Sequence, residues 1–140
     1  MSTPQMQIVV EQNKQIMVRW FEEVWNEGKR ETIHDLFDEK GVLHDGDTIF
    51  RGPDDFCRFY DALRSEFADF RATRVVSLAE GDLVCQHWSI ACRHKSSDKQ
   101  VQVSGTSVVR IQDGKLIEGW QNWDAASLSR QLPGYSAVPI

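Results

Sequence analysis

The sequence has no run of about 18 apolar residues, the least that spans a bilayer as a helix, so no transmembrane segment is expected. It also lacks an excess of positive charge. Against 16 Lys and Arg stand 21 Asp and Glu in 140 residues, a formal charge of -5. That balance leaves no broad basic surface for phosphates and excludes nucleic acid as the expected main partner. Cysteine is scarce: Cys57, Cys85 and Cys92 are an odd count without metal-ligand spacing, and they read as small buried thiols in a reducing compartment. The first 15 residues show no basic stretch followed by an apolar one, so the cytoplasm is the expected location. Linkers rich in Pro or Gly, low-complexity tracts and internal repeats are missing too, which leaves one domain over residues 1–140. Four His and three Cys without helical or turn spacing imply no metal site. No elbow sequence is present to carry a nucleophilic Ser. Gly105, with no helix after it, is a bulge or a point of close packing rather than a phosphate loop.

What the chain does contain is a change of rhythm. From about Gln7 to Glu27, Ile16, Trp20 and Val24 recur every fourth position with Met17, Phe21 and Trp25 beside them. This predicts a helix with a wide buried stripe, stopped by Gly28. A short helix is expected from Arg30 to Phe37, then a brief extended piece in "GVLHDG". "GPDDFCRFYDALRSEF" is the clearest helix. Pro53 suits its first position, Asp54 and Asp55 complement the positive end of its dipole, and Phe56, Phe59, Leu63 and Phe67 form one apolar face. After Asp69 the period drops to two. Strands are predicted at about residues 70–79, 83–95, 100–112 and 115–123, joined by turn-like "EGD", "SSDK" and "DGK". Helices followed by an antiparallel meander make an α+β domain.

The last strand, in "KLIEGWQNWD", poses a question. Strict alternation puts Leu116, Glu118, Trp120, Asn122 and Asp124 on one face, and Ile117, Gly119, Gln121 and Trp123 on the other. A face mixing Trp120 with two carboxylates and an amide suits an apolar pocket that needs a few convergent polar groups. Alternation also places Trp88 and His94 on one face of the strand that begins at Leu83.

Gly52, the Glu80-Gly81-Asp82 turn, Trp88, Asp113-Gly114-Lys115, Glu118, Trp120, Asp124 and the closing Gln131-Leu132 follow one another in a telling order. From about Asn13 to Leu132 the chain resembles the SnoaL-like polyketide cyclases of the NTF2-like superfamily. The resemblance implies an α+β cone, with N-terminal helices packed in a curved antiparallel sheet and a pocket at its open end. It also implies cofactor-independent acid–base chemistry, an aldol-type ring closure or an isomerisation, on a small apolar ring or polyketide-type compound. Trp20, Trp88, Trp120 and Phe59 would then wall the pocket.

Six residues are candidates for the chemistry. His94 stands six residues after Trp88, where these cyclases often carry Gly-Thr-His; here the register reads Cys92-Arg93-His94. The imidazole either moves a proton near pH 7 or sits solvated at a hairpin end. His44 or Asp45 occupies the segment that bears a general base in the related ketosteroid isomerases. Cyclases and limonene-epoxide hydrolases of this superfamily carry a catalytic Asp in the last strand; in the hydrolases it sits two residues after a Trp, a register that falls here on Asn122, which cannot act as a base. Asp124, one step on, either replaces it or caps the following helix. Glu118 is a further carboxylate on the same face. A noncatalytic ligand-binding or assembly module is the competing reading, favoured by Asn122 and by the missing Gly-Thr. The expected cavity joins Trp88, His94, Glu118, Trp120 and Asn122, with Asp124 at its rim and Ser104 and Thr106 completing the wall. Val101, Val103, Val109, Ile111, Ile117 and Trp123 are expected to face outward, where an apolar patch would make a homodimer.

Overall fold

The computed structural model describes residues 3–135. Helix α1 (Pro4–Arg19) starts where Thr3 accepts the Met6 amide at 3.1 Å and Pro4 needs no partner for a missing N–H. The helix then widens into a π-helical segment (Trp20–Asn26), which the apolar rhythm alone does not announce. The wider turn keeps Trp20, Phe21, Val24 and Trp25 all turned inward. Its end leaves carbonyls without intrahelical donors. The Tyr60 hydroxyl donates to the Val24 carbonyl at 2.9 Å, and Arg64 donates to the Trp25 carbonyl at 3.0 Å. Asn26 uses its side chain as a length of backbone. Its amide nitrogen donates to the Ala72 carbonyl at 3.1 Å, and its oxygen accepts the Ala72 N–H at 2.6 Å.

After α2 (Glu31–Leu36), the "GVLHDG" segment forms more than a brief extended piece. It lies in a hairpin of β1 (Phe37–Asp45) and β2 (Thr48–Arg51) that joins the main sheet. Helix α3 (Gly52–Glu66) follows, then β3 (Phe67–Glu80), β4 (Leu83–His94), β5 (Gln100–Gln112), β6 (Lys115–Trp123) and α4 (Ala125–Gln131). The meander is extended to six strands in the order β2-β1-β6-β5-β4-β3. β1 runs parallel to β6 and the other neighbours are antiparallel. Adding β1 gives backbone partners to the side of β6 that a four-stranded meander would leave open. No helix of the described residues is long and apolar enough to cross a membrane.

One extra residue decides which side chains meet the helices. Arg110 pairs with Glu118 but Ile111 pairs with Leu116, so Ile117 is a bulge. Everything after a bulge changes face. Leu116 and Gly119 are buried on the inner face, while Glu118, Trp120 and Asn122 point outward. This corrects the reading of β6, because alternation cannot be carried through Ile117. The outward apolar set is corrected with it. Val101, Val109 and Ile111 belong to the core, Val103 and Trp123 pack against it, and Ile117 is the bulge residue.

Burial also governs the thiols. Cys57 and Cys92 lie in the core, and loss of solvent pushes the Cys92 thiol up to about 11. Both are therefore expected to resist iodoacetamide at neutral pH until the chain unfolds, which peptide mass mapping would check. Labelling of Cys92 in the native protein would contradict its packing.

Candidate functional site

Between the inner sheet face and the helices runs a cavity of about 150 Å³. The widened helical turn contributes Trp20, Phe21 and Trp25; α3 contributes Phe56, Phe59 and Leu63; Trp88 comes from β4 and Trp123 from β6. Leu128 of α4 and Tyr135 line its far end. The Trp88 ring can pack against β5 because Gly105 has no side chain. A Cβ there would stand 2.5 Å from the indole and 2.6 Å from the Asn122 carbonyl oxygen. The indole N–H then donates to the Ser107 hydroxyl at 2.8 Å. Close packing is thus the role of Gly105.

The polar groups arrive in one cross-strand row. Asp45 neighbours Gln121, Gln121 neighbours Ser107, and Ser107 neighbours Gln86. Asp45 faces inward because Leu43, two residues earlier on β1, is buried against the core. Gln121, on the cavity wall, donates its amide to Asp45 at 3.0 Å, and the Trp123 side chain also hydrogen-bonds it. Burial raises the affinity of this carboxylate for its proton, against the opposing pull of those two bonds. His44, by the same alternation, points outward. It lies 3.3 Å from Glu118 and stacks on Trp120 with ring centroids 5.8 Å apart. Of the two residues that the resemblance leaves open, Asp45 is the one on the inner face; it does not itself line the cavity but stands behind Gln121, which does.

The remaining candidates fall elsewhere. Glu118, Trp120 and Asn122 do not line the cavity, for the reason given by the bulge at Ile117. Ser104 and Thr106 are also on the outer face, where Thr106 bonds to His87 at 3.0 Å; Val103 and Ser107 form that part of the wall. His94 has the inward parity of Trp88 but is the last residue of β4, where it packs against Phe67 and Tyr135, which line the cavity, without lining it itself. It bonds Ser97 at 2.7 Å in a separate cleft with Lys95 and Lys99. Asp124 caps α4, accepting the Ser127 amide at 3.0 Å. Asp124→Ala is expected to cost about 1 kcal/mol in urea unfolding, the usual worth of such a cap. An unchanged midpoint would show that α4 holds by packing alone.

Gln121 and Trp123 are the residues that sequence reasoning leaves out. Their parity with Leu43 and Asp45 exists only through the parallel pairing of β1 with β6. No group of three or more His, Cys, Asp or Glu among the described residues is placed to hold a metal ion.

Solved structures share this architecture. A protein of Jannaschia sp. CCS1 assigned as a SnoaL-like polyketide cyclase has a TM-score of 0.82 and 17% identity, over 97% of this chain and 99% of that one. One of Acidithiobacillus ferrooxidans assigned as a polyketide cyclase is 26% identical with a TM-score of 0.78, over 89% of this chain and 96% of its own. IdmH of Streptomyces antibioticus, also assigned as a polyketide cyclase, is 22% identical with a TM-score of 0.78, over 86% and 98%. No curated protein matches the sequence. The sequence pattern of the SnoaL-like polyketide cyclases matches residues 15–132, most of the chain, and the protein belongs to that family.

Proposed function

We propose that the protein is a cofactor-independent acid–base enzyme of the cyclase or isomerase kind, with Asp45 as its general base. The observation that carries this reading is a desolvated carboxylate bonded to Gln121, a polar group on the wall of an otherwise apolar cavity. A ketone placed with its oxygen against the second amide hydrogen of Gln121 brings its alpha carbon toward Asp45. The C–H bond breaks, the proton passes to Asp45, and the electron pair moves onto the carbonyl oxygen as an enolate that Gln121 stabilises. The enolate carbon then either attacks a second carbonyl, forming the C–C bond of an aldol closure while the alkoxide left by the broken C=O π bond takes the proton back from Asp45, or recovers the proton at another position.

The volume limits the substrate. A void of about 150 Å³ is one that benzene fills, so a compound of one or two small rings suits the cavity and a large fused polyketide does not. Three free thiols support a reducing, cytoplasmic setting. The test is deuterium uptake by 2-tetralone in D₂O, followed by NMR with and without the protein. Protein-accelerated exchange at the alpha carbon is expected. Shift changes that report binding without exchange would favour the noncatalytic ligand-binding reading, for which the nearly all-apolar wall is the supporting observation.

A further inference from the structure

Among its apolar and aromatic neighbours the cavity wall carries one amide, Gln121, and one aliphatic hydroxyl, Ser107. The two are direct partners across β5 and β6. Side chains so paired on one face have Cβ atoms about 5 Å apart, close enough to reach the same ligand atom. Gln121 gives one amide hydrogen to Asp45 and keeps the second.

Ser107 has a proton without a destination. Its oxygen accepts the Trp88 indole N–H at 2.8 Å, and at 7% exposure it is nearly shut off from bulk water. Among the described residues nothing accepts the Ser107 hydroxyl proton in turn. Gln86, its cross-strand partner on β4, does not. The Gln86 Oε1 is buried without a partner, and its amide nitrogen donates to Ser77 at 3.4 Å. Buried polar groups nearly always find partners, and the direction left open to Ser107 is the cavity that it lines. The indole N–H, by donating into the Ser107 oxygen, polarises the O–H bond and makes it a stronger donor. Gly105 lets the indole come close enough to do so.

We propose that Ser107 and Gln121 hold one ligand oxygen between them, Ser107 through its hydroxyl proton and Gln121 through its second amide hydrogen. The inference rests on the reading of the cavity as a ketone site and narrows it: the ligand presents a carbonyl oxygen to two donors, at the place where β5 and β6 pair. A hydrocarbon of the same shape satisfies neither donor.

Binding of 2-tetralone and of tetralin, the same ring system without the oxygen, separates this role from packing. NMR titration gives both dissociation constants. Ser107→Ala should weaken 2-tetralone about tenfold and tetralin by less than about twofold, as loss of one hydrogen bond to the oxygen requires. Ser107→Thr keeps the hydroxyl and should hold both ligands within about threefold of the parent. Equal weakening of the two ligands by Ser107→Ala would make Ser107 a prop for Trp88 and overturn the proposal. Unchanged 2-tetralone binding in that variant would overturn it as well. Neither constant depends on proton transfer, so a failure of deuterium exchange alone would remove the acid–base reading and leave the two donors standing. A parent that binds neither compound would overturn both.

Discussion

Asp45→Asn is expected to slow alpha-proton exchange from a bound ketone by about 10²–10⁴-fold, the range in which general bases contribute. Asn has nearly the same shape and keeps an oxygen for Gln121, so the loss would report the missing proton acceptor and not a collapsed wall. The pH profile carries the same information. Because burial raises the Asp45 pKa above the ordinary 3.8, the parent's rate should fall, on acidification, at a higher pH than a solvated aspartate would give. Stability runs the other way. Folded Asp45 binds its proton more tightly than unfolded Asp45, so the fold loses stability as pH rises through the unfolded value toward the folded one, and the penalty persists above it. Asn removes that penalty. The variant should therefore melt at or above the parent's temperature at neutral pH while having lost activity. Retained exchange in the variant would exclude Asp45 as the base; a lowered melting temperature would mean that its hydrogen bonds outweigh its burial.

Gly105→Ala is expected to lower stability by about 3 kcal/mol, the upper end of ordinary overpacking. The new methyl would press on two obstacles at once. One is the Trp88 indole, 2.5 Å away and tethered by its N–H to Ser107. The other is the Asn122 carbonyl, part of the β6 backbone, which has no rotamer to escape into. Relief requires β5 and β6 to part or Trp88 to swing into the cavity. Either change also weakens binding of an apolar ligand. Urea unfolding gives the stability and 2-tetralone titration by NMR gives the binding; a cost below about 1 kcal/mol would show that Trp88 moves aside freely.

Element types are legible in the sequence where their cues are local. Pro53, Asp54 and Asp55 mark the start of α3 through backbone geometry and charge, which need no distant partner. Asp113 and Gly114 mark a hairpin because both adopt positive φ there. The resemblance to SnoaL-like cyclases, carried by such turns and by Trp88, leads to the right fold class. Face assignments in β6 are different. The bulge at Ile117 belongs to the pairing with Arg110 and Ile111, and Leu-Ile-Glu-Gly contains nothing that announces it. Its effect is to exchange Glu118, Trp120 and Asn122 for Gln121 and Trp123 on the cavity side. β4 and β5 pair without interruption from Leu83 to Arg93, so strict alternation places Trp88 and Ile90 on the wall as it should. Choosing between His44 and Asp45 turns on the burial of Leu43, which depends on β6, more than 70 residues away in the chain.

The Asn26 side chain, bonded to both backbone groups of Ala72, bears on more than the helix that ends there. β3, at 14 residues the longest strand, has one side with no neighbour in the sheet. An incoming strand from another molecule needs an unbroken file of outward amides and carbonyls along that side. At Ala72 both are occupied, and three residues later the bulge at Val75 displaces the spacing of the rest. One amide side chain and one surplus residue thus interrupt the longest open edge of the sheet, beside the exposed Val75 and Val76, where an unbroken file would offer a template for cross-β pairing.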